Sequence, residues 1–160
     1  MENSLKTLST SIGNVLKEHS LTISAAESCT GGLLSSVLTA ISGSSEYFIG
    51  GVVAYSNRIK EEVLGVKHAT LLEHGAVSEE TACEMAKGIN NRFNTDIGLS
   101  TTGIAGPKGD TSNKPVGLVW IGISTPENTL TYEYHFKGTR NEIQTNTVKE
   151  ILNRLLQLLS

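Results

Sequence analysis

The stretch "AAESCTGGLLSS", Ala25 to Ser36, decides how the rest of the chain reads. It closes a short apolar run, "LTISAA" from Leu21, and passes through small polar residues and two glycines. Apolar residues then return at helical spacing, at Leu33, Leu34, Val37, Leu38 and Ile41. This is the pattern of a strand that runs through a tight turn into a helix. Upstream, Leu5, Leu8, Ile12, Val15 and Leu16 predict an amphipathic helix before that strand.

Downstream the alternation continues. "SGSS" (42–45) ends the second helix, and "YFIGGVVAY" (47–55) is apolar at successive positions, which predicts a strand covered on both faces. Ser56 or Asn57 can cap the helix "RIKEEVL", Gly65 can stop it, and a short helix is expected around Leu71. Ser78 followed by Glu79 and Glu80 suits a helix N-terminus, with Ala82, Met85, Ala86, Ile89 and Phe93 as its buried stripe. "DIGLSTTG" (96–103) and "VGLVWIGIST" (116–125) read as strands, the second central. "TLTYEYHF" (129–136) sets Leu130, Tyr132, Tyr134 and Phe136 on one face, as in a half-exposed edge strand. From Thr139 a last helix buries Val148, Ile151, Leu152, Leu155, Leu156 and Leu159. The expected fold is α/β: a three-layer α/β/α sandwich with a mixed sheet of about five strands, formed as one domain over residues 1–160.

Composition limits the function. The chain has 160 residues, 38% of them apolar, enough for one sizeable core. Thirteen basic and sixteen acidic side chains give a net charge of −3, with no basic cluster and few aromatics, which argues against nucleic acid as a direct ligand. No apolar run approaches the ~20 residues of a membrane span. The first twenty residues lack a signal-peptide core, so a cytoplasmic location is expected. Cys29 and Cys83 lie in different kinds of segment and read as reduced thiols.

Three junctions, "ESCTGG", "YSNRIK" and "TTGIAGPKGDTSNKP", fall where strands end, the usual place for ligands in an α/β sheet. Ser28 offers a hydroxyl beside backbone N–H groups that can hold an anion or the oxyanion of an attacked carbonyl. The same serine reads equally as a plain helix N-cap. An activating base is needed. His19, His68, His74 and His135 are scattered outside the glycine-bearing junctions and read as surface residues. Lys60 can enter a strand-end pocket, where lost hydration lowers an ammonium's pKa, and Tyr55 can relay a proton or orient it. The bland alternatives are a solvated helix lysine and a core tyrosine ring. Cys29, adjacent to Ser28, is a possible thiolate nucleophile but lacks a histidine partner and reads better as a small buried filler.

"AESCTGG", "SGSSEYF", "GGVVAYSNRIKEEVLGV", "HGAVSE", "GIAGP" and "KPVGLVWIGI" occur in an order and spacing that resembles the CinA C-terminal domain family, over nearly the whole chain from about Ser4 to Leu159. The chain looks like the free-standing form of that domain. The resemblance implies a nicotinamide-nucleotide amidase that converts nicotinamide mononucleotide and water to nicotinate mononucleotide and ammonia, within the pyridine-nucleotide cycle. It implies a serine–lysine mechanism without metal or other cofactor, with Ser28 as nucleophile, Lys60 as base and Tyr55 as their partner.

Around that core, Thr30 and Gly31 are expected to supply oxyanion donors, and Ser45 to support the oxyanion or Lys60. Glu27 would anchor a ribose hydroxyl or hold the turn. Thr102, Gly103 and Gly106, with Thr101, form a second turn able to hold the phosphate, and Arg140 is a cationic candidate for the same group. Residues 107–115 read as a lid or as a plain surface loop. A homodimer fits the resemblance and the apolar last helix. The competing reading is a nucleotide-binding or regulatory module acting through protein partners in competence or DNA-damage responses. A phosphate-transfer enzyme fits less well, for want of a G-x-x-x-x-G-K-[ST] loop or a carboxylate pair for magnesium.

Overall fold

A computed structural model describes residues 3–160. The elements run α1 (Asn3–Glu18), β1 (Ile23–Glu27), α2 (Leu33–Thr39), β2 (Phe48–Val53), α3 (Asn57–Glu62), α4 (His68–His74), α5 (Glu79–Phe93), β3 (Ile97–Gly103), β4 (Leu118–Ser124), β5 (Thr129–His135) and α6 (Arg140–Leu159). The five strands form one mixed sheet in the order β2-β1-β3-β4-β5. The first three are mutually parallel, and β4 and β5 add antiparallel. The expected three-layer α/β fold is therefore the observed one.

The helices divide between the faces according to their apolar stripes. Leu5, Ile12 and Leu16 of α1, Leu34 and Leu38 of α2, and Ile151, Leu152 and Leu155 of α6 bury Ala25, Leu99, Ile121 and Ile123 from one side. Met85 and Ile89 of α5 cover Ala26 and Ala54 from the other, with Leu64, Val66 and Leu71 from the α3–α4 region. Close approach on that second face depends on missing side chains. A Cβ on Gly98 would run into the Ala86 carbonyl, and one on Gly122 into that of Ala82. The ends of the long helices match their sequence signals. Ser78 accepts from the Thr81 amide at 3.2 Å, and Thr139 with Glu142 closes a reciprocal cap on α6.

One expectation fails here. The segment 47–55 is not a strand covered on both faces: β2 is an edge strand, and burial alternates along it. Parallel pairing to β1 occupies one edge, and the seven-residue α2 is too short to cover the side chains of Ile49 and Val53. Ile49 and Val53 are 52% and 49% exposed. The apolar stripe of α6 packs inside its own chain as expected, with Ile143, Val148, Ile151, Leu152 and Leu155 fully buried, so it offers no free docking face. No described helix is long and apolar enough to cross a membrane.

Candidate active site

Glu27, the last residue of β1, is completely buried and organises the turn that follows. One carboxylate oxygen accepts from the Thr30 hydroxyl at 2.6 Å and from the amides of Gly32 and Leu34 at 3.2 and 2.9 Å. The other accepts from the Ser35 amide at 2.9 Å and its hydroxyl at 2.7 Å. These donors include N–H groups that the first turn of α2 leaves unpaired. The carboxylate therefore caps the helix, and of the two roles expected for Glu27 the geometry matches holding the turn, since the bonds to the chain account for both oxygens.

That arrangement frees Ser28 from the capping role. The helix begins only at Leu33 and its N-cap position is Gly32, whose φ of 106° and that of Gly31, 59°, need glycine. The serine hydroxyl instead faces Lys60, whose Nζ lies 3.2 Å from Oγ. Lys60 is 1% exposed, and its only other side-chain contact of this kind is the Tyr55 carbonyl at 3.3 Å. Burial holds its pKa below the ordinary ammonium range, and no carboxylate contributes a counter-charge. The helix α3 that carries it is set by Ser56, which accepts from the Ile59 amide at 3.2 Å.

A depressed ammonium pKa has a definite consequence for stability. At low pH both folded and unfolded chains carry the charge, and the folded one bears the cost of burying it. As pH rises past the folded-state value, the unfolded chain holds the extra proton, so stability increases until about pH 10.4, where the unfolded lysine also titrates. Lys60→Met is accordingly expected to raise Tm at neutral pH by a few degrees and to flatten this part of the stability–pH curve. Thermal melts across pH 6–10 check it; a fall in Tm at neutral pH would contradict it.

The turn also presents amides. The Gly31 N–H is committed to the Ser28 carbonyl at 3.1 Å, which fixes the Ser28–Cys29 peptide. The Cys29 carbonyl accepts from Gln144 Nε2 at 3.0 Å, which fixes the next one. The amides of Cys29 and Thr30 have no partner among the described residues. The amides left open beside Ser28 are thus those of Cys29, which lines the cleft, and Thr30, in place of the expected Thr30 and Gly31. Gly31 is exposed and lies outside the cleft lining, and the Thr30 side chain is buried between Glu27 and the Thr101 hydroxyl at 2.8 Å. Burial pushes the Cys29 thiol up to about 12, so it is protonated at neutral pH and unfit as a nucleophile.

Ser28, Cys29, Lys60 and Tyr55 open onto a cleft of about 280 Å³. Thr102 and Gly103 line it from the end of β3 and Gly106 from the loop that follows, as expected, though the Thr102 hydroxyl is spent on the Ala76 carbonyl at 2.7 Å. Arg140 closes one side. It donates to the Gly106 carbonyl at 2.7 Å and to the Tyr55 hydroxyl at 2.9 Å. Tyr55 is 60% exposed, so it is neither a core ring nor a hydroxyl partner of Lys60; it holds the lysine through its carbonyl and Arg140 through its phenol.

Ser45 does not reach this cleft within its own chain. It is exposed on a 3₁₀ turn (Ser44–Glu46) that enters β2, whereas Ser28 stands at the strands' far end, roughly 20 Å away at the rise of a strand. None of the four histidines lines the cleft. Among the described residues no group of three or more His, Cys, Asp or Glu is placed to hold a metal ion.

Sequence reasoning did not single out Asn57, Lys108 or Gln144. Lys108 belongs to the polar loop 107–115 and lines the cleft beside Gly109, while Lys114 pins that loop to the His74 carbonyl at 2.6 Å. For Gln144 a signal existed: it follows Arg140 by four residues, which on a helix means the same face. Besides the buried Lys60, the lining contains two cations, Lys108 and Arg140, and no carboxylate, in a chain whose net charge is −3.

The fold and the buried pair define a class: a three-layer α/β domain with a serine–lysine couple at the carboxyl ends of its parallel strands. The family model "CinA C-terminal domain" matches residues 5–159, and the chain belongs to that family. It resembles a CinA-like protein of Thermotoga maritima, 49% identical over 145 residues that make up 91% of this chain and 35% of that one. Among solved structures, the competence/damage inducible protein CihA from Agrobacterium tumefaciens is 38% identical, with a TM-score of 0.97 and coverage of 100% of this chain and 98% of that one. A competence or damage-inducible protein from Enterobacter asburiae is 33% identical, TM-score 0.96, with coverage of 99% and 100%. The chain spans 32% to 36% of the length of the curated relatives it matches.

Proposed function

We propose that this chain hydrolyses the carboxamide of nicotinamide mononucleotide, giving nicotinate mononucleotide and ammonia. The observation that carries the reading is the 3.2 Å approach of Lys60 Nζ to Ser28 Oγ, with the lysine buried and without a counter-ion. A neutral amine at that distance takes the hydroxyl proton as Oγ attacks the carboxamide carbon. The Cys29 amide, on the cleft lining, and the Thr30 amide beside it are the open donors for the charge that develops on the carbonyl oxygen. The lysine returns its proton to the departing nitrogen, ammonia leaves, and an acyl-serine remains. Water then adds to that ester with Lys60 again as base, releasing the carboxylate and restoring Ser28.

The cationic, carboxylate-free lining supports an anionic substrate, with Lys108 and the guanidinium N–H groups that Arg140 has left as the donors to its phosphate. Arg140→Ala is expected to raise KM for the mononucleotide about tenfold, or ~1.4 kcal/mol, with a smaller effect on kcat. The unphosphorylated nucleoside should show little change in kcat/KM; equal losses for both would remove the phosphate contact. The direct test of the function is ammonia release from nicotinamide mononucleotide by the purified wild-type chain, with and without a chelator. No release at any pH from 6 to 10 would end the amidase reading.

A further inference from the structure

The segments "HGAVSE" and "KPVGLVWIGI" meet through one side chain that the proposed reaction leaves without a task. Lys114 Nζ donates to the His74 carbonyl at 2.6 Å, and we infer that this tie makes Lys114 a positioning residue: it holds the loop 107–115 so that Lys108 stays on the cleft wall, where it meets the substrate's phosphate. The inference rests on the reading of the substrate as a phosphorylated nucleotide and adds the residue that places one of its phosphate donors.

His74 ends α4, and its carbonyl is one of those that a helix leaves without an internal partner. The two carbonyls that follow are also held by side chains. Gly75 accepts from the hydroxyls of Ser78 and Thr81 at 3.0 and 2.7 Å, and Ala76 from that of Thr102 at 2.7 Å. Three successive carbonyls are thereby fixed from the loop, from the start of α5 and from β3, and the segment they fix brings Ala76 and Val77 to the cleft. The Lys114 amine passes over Gly75, where a Cβ would stand 2.9 Å from Nζ. No described carboxylate forms an ion pair with Lys114, so the carbonyl is what holds its ammonium.

The dependence runs one way. Residues 75 and 76 keep their ties to Ser78, Thr81 and Thr102 whatever the loop does. The loop has no such reserve. Thr111 and Lys114 exchange backbone bonds at 2.8 and 3.2 Å, which closes a turn inside the loop. Among the described residues, the bond from Lys114 to His74 is the only hydrogen bond that joins residues 107–114 to the rest of the chain. Arg140 reaches the residue before them, through the Gly106 carbonyl at 2.7 Å. Residues 107–113 are all exposed, so little buried apolar surface opposes their opening once that tie is cut. Lys108 and Gly109 line the cleft from inside this stretch, and the place of the Lys108 ammonium therefore depends on Lys114. A donor that must be ordered on binding contributes less affinity than one already in place.

Trypsin reads the tie directly. Lys114 precedes Pro115, which blocks cleavage there, so Lys108–Gly109 is the one tryptic bond inside the loop. Under native conditions Lys114→Met is expected to release the fragment ending at Lys108 about tenfold faster than wild type, with unchanged circular dichroism. The same variant should raise KM for nicotinamide mononucleotide about fivefold with kcat within about twofold, and leave kcat/KM for the unphosphorylated nucleoside nearly unchanged. Lys108→Ala should raise KM at least as much, and adding Lys114→Met to it should raise KM no further, because Lys114 acts through Lys108. An unchanged cleavage rate would overturn the tie. Faster cleavage with unaltered KM, an equal loss for the nucleoside, or additive losses in the double variant would overturn the positioning role. A wild type that releases no ammonia removes the amidase reading and the positioning role with it, while cleavage at Lys108 still decides the tie.

Discussion

Ser28→Ala and Lys60→Ala are each expected to lower kcat/KM for ammonia release by about 10³-fold or more, and the double variant to be no worse than the single ones. The serine supplies the bond to the acyl carbon and the lysine the base that makes its oxygen nucleophilic, so either loss removes the same step. Lys60→Arg should fail as well, because a guanidinium cannot give up its proton at working pH. Wild-type activity should climb with pH as the Lys60 ammonium deprotonates, along a limb lying below the usual lysine range because burial disfavours the charge. Single-turnover assays of the four variants, and of the wild type across pH, check this; retention of wild-type rate by Lys60→Ala would assign the base elsewhere.

Glu27→Gln should cost about 3 kcal/mol of folding stability, and Glu27→Ala more, visible as a lower urea midpoint. The carboxylate receives bonds from two hydroxyls and from the amides of Gly32, Leu34 and Ser35. A glutamine must turn an NH₂ toward N–H groups on one side, which breaks bonds and sets donor against donor in a buried place. The start of α2 would loosen, and with it the turn that carries Ser28. Activity should therefore fall along with stability, whereas Ser28→Ala should leave stability nearly unchanged. An unaltered midpoint for Glu27→Gln would contradict the capping role.

The sequence expectations that failed depend on where segments lie relative to one another. "YFIGGVVAY" reads as doubly covered because every residue is apolar or glycine, yet apolarity reports what a strand tolerates and not whether a helix is long enough to lie over it. Ser45 looked close to the site because its motif precedes β2 by only a few residues, but a strand moves the chain about 3.3 Å per residue, and the turn stays at the wrong end. The motif by itself points to Thr30 and Gly31 as donors. Which amides remain open depends on where Gly31 and Gln144 spend their own bonds.

By itself the sequence determined the alternation of strands and helices, the layered α/β class and the three strand-end junctions, because hydrophobic period, caps and glycines act over a few residues. It also held the residue types of a serine–lysine pair, though not their meeting. Tertiary structure alone decided that Lys60 lies against Ser28, that Glu27 is spent on holding the turn, and that Arg140 and Gln144 brace loops far from them in the chain. Those facts depend on distances between segments tens of residues apart, and local propensity carries no term for them.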